Sequence, residues 1–181
     1  MLAADRTLFL LVNAGFDTPT WVIGAARLLS AGVPIAVPAA LLLVAVLRPR
    51  RRAPLLVALL ATTLCWCAVV VLRDLLPMPR PAAYGLGIQW LPHGVRAGFP
   101  SLHTAAAFAF AGTLAWLRWQ PLASGLLLLA LGVGWSRVLL GLHFPSDVLG
   151  GALLGLAVAG ATVAVGSHVR GGRTDGRRRH A

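Results

Sequence analysis

Apolar positions along this chain fall into long, nearly unbroken runs rather than the 3.6-residue stripe of a surface helix or the alternation of a half-buried strand. The runs cover about Trp21 to Leu47, Pro54 to Leu76, Ser101 to Trp119, Pro121 to Leu140 and Ser146 to Gly166. At about 1.5 Å of rise per residue, a helix of such length reaches across about 30 Å of hydrocarbon. The first run is unusually long and contains Gly32, Pro34 and Pro38, which predicts a break near Gly32. The segment from about residue 4 to 16 is too short to span and reads as an interfacial amphipathic helix. Pro77, Pro79 and Pro81 forbid further helix after Arg73 and Asp74, and a loop rich in Pro and Gly follows as far as Pro100. The pattern predicts an all-α, polytopic membrane helix bundle with about five transmembrane helices and an N-terminal interfacial helix. Residues 1–168 form one membrane domain, and residues 169–181 a basic tail expected to be disordered and cytoplasmic. No internal repeat is visible.

Composition removes the soluble alternative. The chain of 181 residues is 58% apolar and only 12% charged, where a soluble domain has roughly a quarter of its residues charged. The net charge of +11 comes from 16 Arg, with no Lys, five Asp and no Glu. A positive balance can signal nucleic acid, but the arginines cluster beside apolar runs, at Arg48 with Arg50 to Arg52 and at Arg177 to Arg179. Positive-inside anchoring accounts for them, placing these two tracts and Arg118 in the cytoplasm. The expected partners are therefore the bilayer and a membrane-borne substrate, not nucleic acid. Cys65 and Cys67 are two apart in mid-span, on different sides of a helix, so neither a disulfide nor a metal clip is expected. No basic leader with a small-residue cleavage site is seen. Arg-only usage with abundant Ala, Leu, Gly and Val looks bacterial. Trp90, Trp116, Trp119 and Trp135 fall near span ends, as aromatic-belt anchors would. Gly150, Gly151 and Gly155 suit close helix packing.

Five spans put most remaining ionisable residues on the outer face, Arg73, Arg80, His103, Arg137, His143 and Asp147, together with the hydroxyls of Ser101 and Ser136. Ionisable groups at a membrane edge are functional candidates by default. The guanidinium is a planar fork that holds phosphate oxygens in pairs, so three of them suggest a phosphoryl group. Two histidines can supply a nucleophile and a proton donor. Hard-metal catalysis would need several carboxylates, and only Asp74 and Asp147 lie near this face, so no metal and no cofactor is expected. Asp74 reads as structural, and His93 and Arg96 as solvated loop. A non-enzymatic alternative, a small anion transporter, would use the same charges but leaves the fixed spacing of His143 and Asp147 unexplained.

The spacing Arg73, six residues, Arg80-Pro81; Pro100-Ser101-Leu102-His103; and Ser136-Arg137, five residues, His143, three residues, Asp147 resembles the three-part signature of the type 2 phosphatidic acid phosphatase family. All three parts occur in order. Arg73 stands where Lys is more usual, and Leu102 where Gly is usual. The resemblance implies a membrane lipid phosphatase in which His143 attacks phosphorus, Asp147 orients it, and His103 protonates the leaving oxygen and then activates water. It implies phosphate binding by Arg73, Arg80, Ser101, Leu102, Ser136 and Arg137. Undecaprenyl diphosphate is the preferred substrate, at a site facing the periplasm or exterior of a bacterial inner membrane. Phosphatidylglycerophosphate and lipid A phosphatases are alternatives. So is a phosphotransferase, because family members with Leu in place of that Gly include inositol-phosphoryl transferases.

Overall fold

A computed structural model describes residues 3–92 and 97–178, and within them every regular element is a helix. His93 and Arg96 lie outside the described residues. Helix α1 is Ala3–Val12, α2 Thr20–Arg27, α3 Val33–Leu47, α4 Arg52–Leu75, α5 Leu102–Trp116, α6 Leu122–Leu139 and α7 Pro145–Arg178. Four stretches are long and apolar enough to cross a membrane: Thr20–Leu47, Arg52–Leu75, Leu122–Leu139 and Pro145–His168.

The expected break in the first span is a single π-helical turn, Leu28–Gly32, joining α2 to α3. Its cause is Pro34. A proline ring clashes with the carbonyl four residues back and cannot donate to it, and the residue four back is Ser30. The Val33 N–H accordingly reaches back five residues to the Leu28 carbonyl.

The third span is shorter than the apolar run predicts, because α5 stops at Trp116 rather than Trp119. There the chain turns through Arg118 at φ 60°. Arg118 N donates to Ala115 O and Trp119 N to Leu114 O, the paired bonds of a left-handed helix cap. With 15 residues α5 is about 22 Å long. It compensates by position: α4, α6 and α7 all pack on it, and nine of its residues are buried. Its Ala-rich, all-round apolar sequence suits a helix enclosed on every side.

Helix α7 lies hard against α5 through Gly151 and Gly155. A methyl group on Gly151 would come within 2.6 Å of the Ser101 carbonyl oxygen, and one on Gly155 would strike that of Ala105. Small residues one turn apart thus bring the two backbones together. Cys65 is buried against α5 while Cys67 is exposed, on different sides of α4.

Trp90 departs from the aromatic-belt expectation. Its indole N–H donates to Ala14 O at 3.0 Å, its backbone N–H to Leu140 O at 3.0 Å, and its ring packs edge-on against Phe16. It is a latch for the loop between α4 and α5, since an inward carbonyl offers a half-buried indole the partner it needs. Trp116 and Trp135 remain outward, at 61% and 41% exposure.

Candidate active site

The site is assembled from helix ends. Pro145 occupies the first position of α7, where its missing N–H costs nothing. This makes Phe144 the N-cap and Asp147 the third helical residue, the position from which a side chain reaches back to the cap's own N–H. Asp147 Oδ2 accepts that Phe144 N–H at 3.0 Å and also meets His143 Nδ1 at 3.2 Å. His143 is therefore in the lead-in, fully buried, four residues from its carboxylate. Because a carboxylate oxygen accepts, Nδ1 carries the proton and Nε2 is left with its lone pair.

Nε2 faces Arg80 Nη1 at 3.3 Å. Arg80 also donates to Leu142 O at 3.3 Å and Ala97 O at 3.4 Å, so carbonyls from two segments aim its fork at the imidazole. Burial, with the neighbouring charge of Arg73 and against that of Asp147, pushes the Arg80 guanidinium down to about 10. It remains a cation throughout the neutral range. Gly98 makes room here, since a side chain at that position would press within 3.1 Å of both Arg80 Cγ and Asp147 Oδ2.

Arg73, in the last turn of α4, grips Pro100 O through Nε at 3.1 Å and Nη2 at 2.8 Å. Pro100 leads into Ser101, whose N–H donates to Asp147 O at 2.9 Å and whose hydroxyl accepts from Thr104 at 3.0 Å. One carbonyl therefore ties an arginine to the start of α5, and one amide ties that start to α7. Helix α5 directs its N-terminus into the cluster, where first-turn N–H groups attract anions.

Ser136 and Arg137 close α6. Gly141 N bonds Val138 O and Leu142 N bonds Arg137 O, both at 3.0 Å, with Gly141 at φ 76°. These are the two bonds of a Schellman cap with Gly in its left-handed seat. His143 N also donates to Arg137 O, at 3.2 Å, so one carbonyl sets the backbone of the dyad. Arg137 is 2% exposed and within electrostatic reach of Arg80 and Arg73. Ser136 donates to Val133 O at 2.7 Å.

His103, on the first turn of α5, stands at a cavity of about 410 Å³ between α3, α4, α5 and α6. The wall is otherwise apolar. Thr62 and Thr63, which line it, return their hydroxyls to Ala58 O and Leu59 O. The Leu102 side chain also turns to this cavity and to the cluster around Cys65 and Val69. Any contribution Leu102 makes to phosphate must come from its backbone.

Three residues near the site carry no sequence signal. Asn13 accepts from Ile88 N at 2.7 Å and donates to Ile88 O and Leu139 O at 3.0 Å, pinning the α4–α5 loop to the end of α6. Asp5 accepts from Ser146 N at 3.0 Å and Oγ at 2.7 Å, capping α7 from another helix. Ser30 accepts from Arg137 Nη1 at 2.5 Å. Each acts across more than 70 residues, where spacing is silent, although Ser30 could have been flagged by its place four residues before Pro34. Among the described residues, no three His, Cys, Asp or Glu side chains gather as a metal site requires.

The PAP2 superfamily profile matches residues 51–169. The chain is 38% identical over 159 residues to the "Putative undecaprenyl-diphosphatase YbjG" of Escherichia coli (strain K12), covering 84% of this chain and 77% of that one. It is 32% identical over 138 residues to the decaprenylphosphoryl-5-phosphoribose phosphatase of Mycobacterium tuberculosis (strain ATCC 25618 / H37Rv), covering 76% and 73%. The crystal structure of Aquifex aeolicus LpxE superposes with a TM-score of 0.73 at 28% identity, over 90% of this chain and 96% of that one. A transmembrane PAP2-type phosphatidylglycerolphosphate phosphatase from Bacillus subtilis shares the fold, with a TM-score of 0.70 at 23% identity over 92% and 86%. With a matching profile over most of its length, relatives named as phosphatases and the apolar helices of a membrane protein, this chain belongs to the PAP2 superfamily and is a membrane lipid phosphatase of that type.

Proposed function

We propose that the protein removes the terminal phosphate of a polyprenyl diphosphate, most simply undecaprenyl diphosphate, through a phosphohistidine on His143 at the outer face of the membrane. The observation that carries this reading is His143 held between Asp147 at Nδ1 and Arg80 at Nε2. Nε2 attacks phosphorus; the N–P bond forms as the P–O bond to the leaving group breaks, and His103 gives that oxygen a proton. His103 then takes a proton from water, the water oxygen bonds phosphorus, the N–P bond breaks and inorganic phosphate departs. Arg73, Arg80 and Arg137, with Ser101, Ser136 and the amide N–H groups of Leu102 and its neighbours, hold the phosphoryl oxygens as charge redistributes.

In-line displacement sends the leaving group away from the attacking nitrogen. A lipid chain must continue on the side of His103, and the apolar cavity between α3 and α6 begins there. Two relatives whose names include polyprenyl substrates support the chain type. The grouping of the arginine tracts at the opposite ends of the spans supports an outward site.

The test uses undecaprenyl diphosphate radiolabelled in its terminal phosphate, with purified protein treated with a chelator. Inorganic phosphate, lipid monophosphate and an acid-labile labelled protein are expected, the label vanishing in His143→Ala. Label delivered to an added alcohol would replace hydrolysis with transfer, and a strict need for added magnesium would overturn the mechanism.

A further inference from the structure

We propose that Ser30, in the π-helical turn of the first span, is a positioning residue for phosphate binding that acts through Arg137. The proposal rests on the reading above, in which Arg137 holds phosphoryl oxygens. Ser30 is 1% exposed, and its hydroxyl oxygen accepts from Arg137 Nη1.

The backbone around Ser30 is built for this approach. Pro34 forces the helix open at the Ser30 carbonyl. The widened turn packs on α6 at Gly132, where a methyl group would make ordinary contact, 3.4 Å from both terminal carbons of Leu29. Gly132 is five residues before Arg137 on the same helix, so the packing that accepts Leu29 also brings Ser30 to the guanidinium. A π turn inside an apolar span is a common mark of a functional position, and this one presents a polar side chain to a buried cation.

The chemistry explains the use. Arg137 shares its surroundings with the like charges of Arg80 and Arg73, which push its long side chain towards other rotamers when no phosphate is present. A neutral acceptor holds one arm of the fork in place without neutralising its charge. The fork is then set before phosphate arrives, which is where preorganised donors stabilise a transition state. The same turn leads directly into Val33 and Pro34, both in the wall of the apolar cavity, so the chain-binding wall and the phosphate cradle share one short piece of backbone.

The test is a double-mutant cycle on the purified full chain, read by kcat/KM on a lipid diphosphate, by inhibition with orthovanadate as a mimic of the transferring phosphoryl group, and by thermal unfolding. Ser30→Ala is expected to lower kcat/KM about tenfold, the scale of one hydrogen bond to a charged group, and to weaken vanadate by a similar factor with unfolding unchanged. In an Arg137→Lys background the same change should cost less than about twofold, because the partner fork is already gone. An undiminished tenfold loss in that background, or Ser30→Ala with full activity while Arg137→Lys is impaired, overturns the role of Ser30 and leaves the phosphatase reading standing. An Arg137→Lys enzyme with unaltered activity and vanadate affinity overturns the assignment of Arg137 on which both depend.

Discussion

Asp147 Oδ2 serves two donors, the N–H that starts α7 and the imidazole of His143. In the proposed mechanism, helix capping and nucleophile orientation are therefore one interaction. Replacing the carboxylate with an amide separates them: Asp147→Asn keeps an oxygen to accept one donor but can no longer fix the histidine tautomer against a full charge. We expect the fold to survive and kcat to fall on the order of ten-thousandfold, as for a comparable orienting carboxylate; retention of more than a tenth of the activity would remove Asp147 from the reaction. In the proposed mechanism His103 serves the leaving oxygen, so the effect of its loss should depend on how much help that oxygen needs. His103→Ala should cut turnover of a lipid phosphate far more than that of an aryl phosphate with a good leaving group. Equal losses on both would point to binding.

At the scale of elements, the site is made almost wholly of helix ends: the last turn of α4, the first of α5, the Schellman cap of α6 and the N-cap of α7. Helix ends have unsatisfied N–H and C=O groups, and here those groups aim the arginines. Arg73 and Arg80 are held by carbonyls, which fix a guanidinium without neutralising it. Asp5 shows how far this extends. It belongs to the interfacial helix α1, yet caps Ser146, the neighbour of Asp147. Asp5→Ala should cost about 1 kcal/mol, seen as a fall of about 2–4 °C in the unfolding midpoint for a chain of this size. An unchanged midpoint would mean water replaces the cap.

At the scale of the molecule, a short central helix gathers α4, α6 and α7, and the α4–α5 loop is drawn over one end of the bundle by Arg80, Asn13 and Trp90. The arginine tracts lie at the other end of the spans, which predicts that the loop faces outward. Ala83 is exposed on that loop. In a background with Cys65 and Cys67 replaced by alanine, Ala83→Cys should react with an impermeant thiol reagent in intact cells. Labelling only after permeabilisation would invert the topology and place the site on the cytoplasmic side.

What the sequence determined by itself is whatever depends on local pattern. Apolar runs long enough for a bilayer specify the spans. Pro34 specifies the break before it, Pro145 the start of α7, and the spacing of His143 and Asp147 a contact across one turn. Tertiary structure decided what depends on residues far apart in the chain. It turned Trp90 inward onto Ala14, directed Leu102 to the apolar cavity, and paired Ser30 with Arg137 across 107 positions. In a bilayer any apolar face is compatible with lipid, so hydrophobicity does not tell which face of a span meets another helix. Those choices come from small residues such as Gly151 and Gly155, which admit close approach, and from buried polar groups that must find partners wherever the fold provides them.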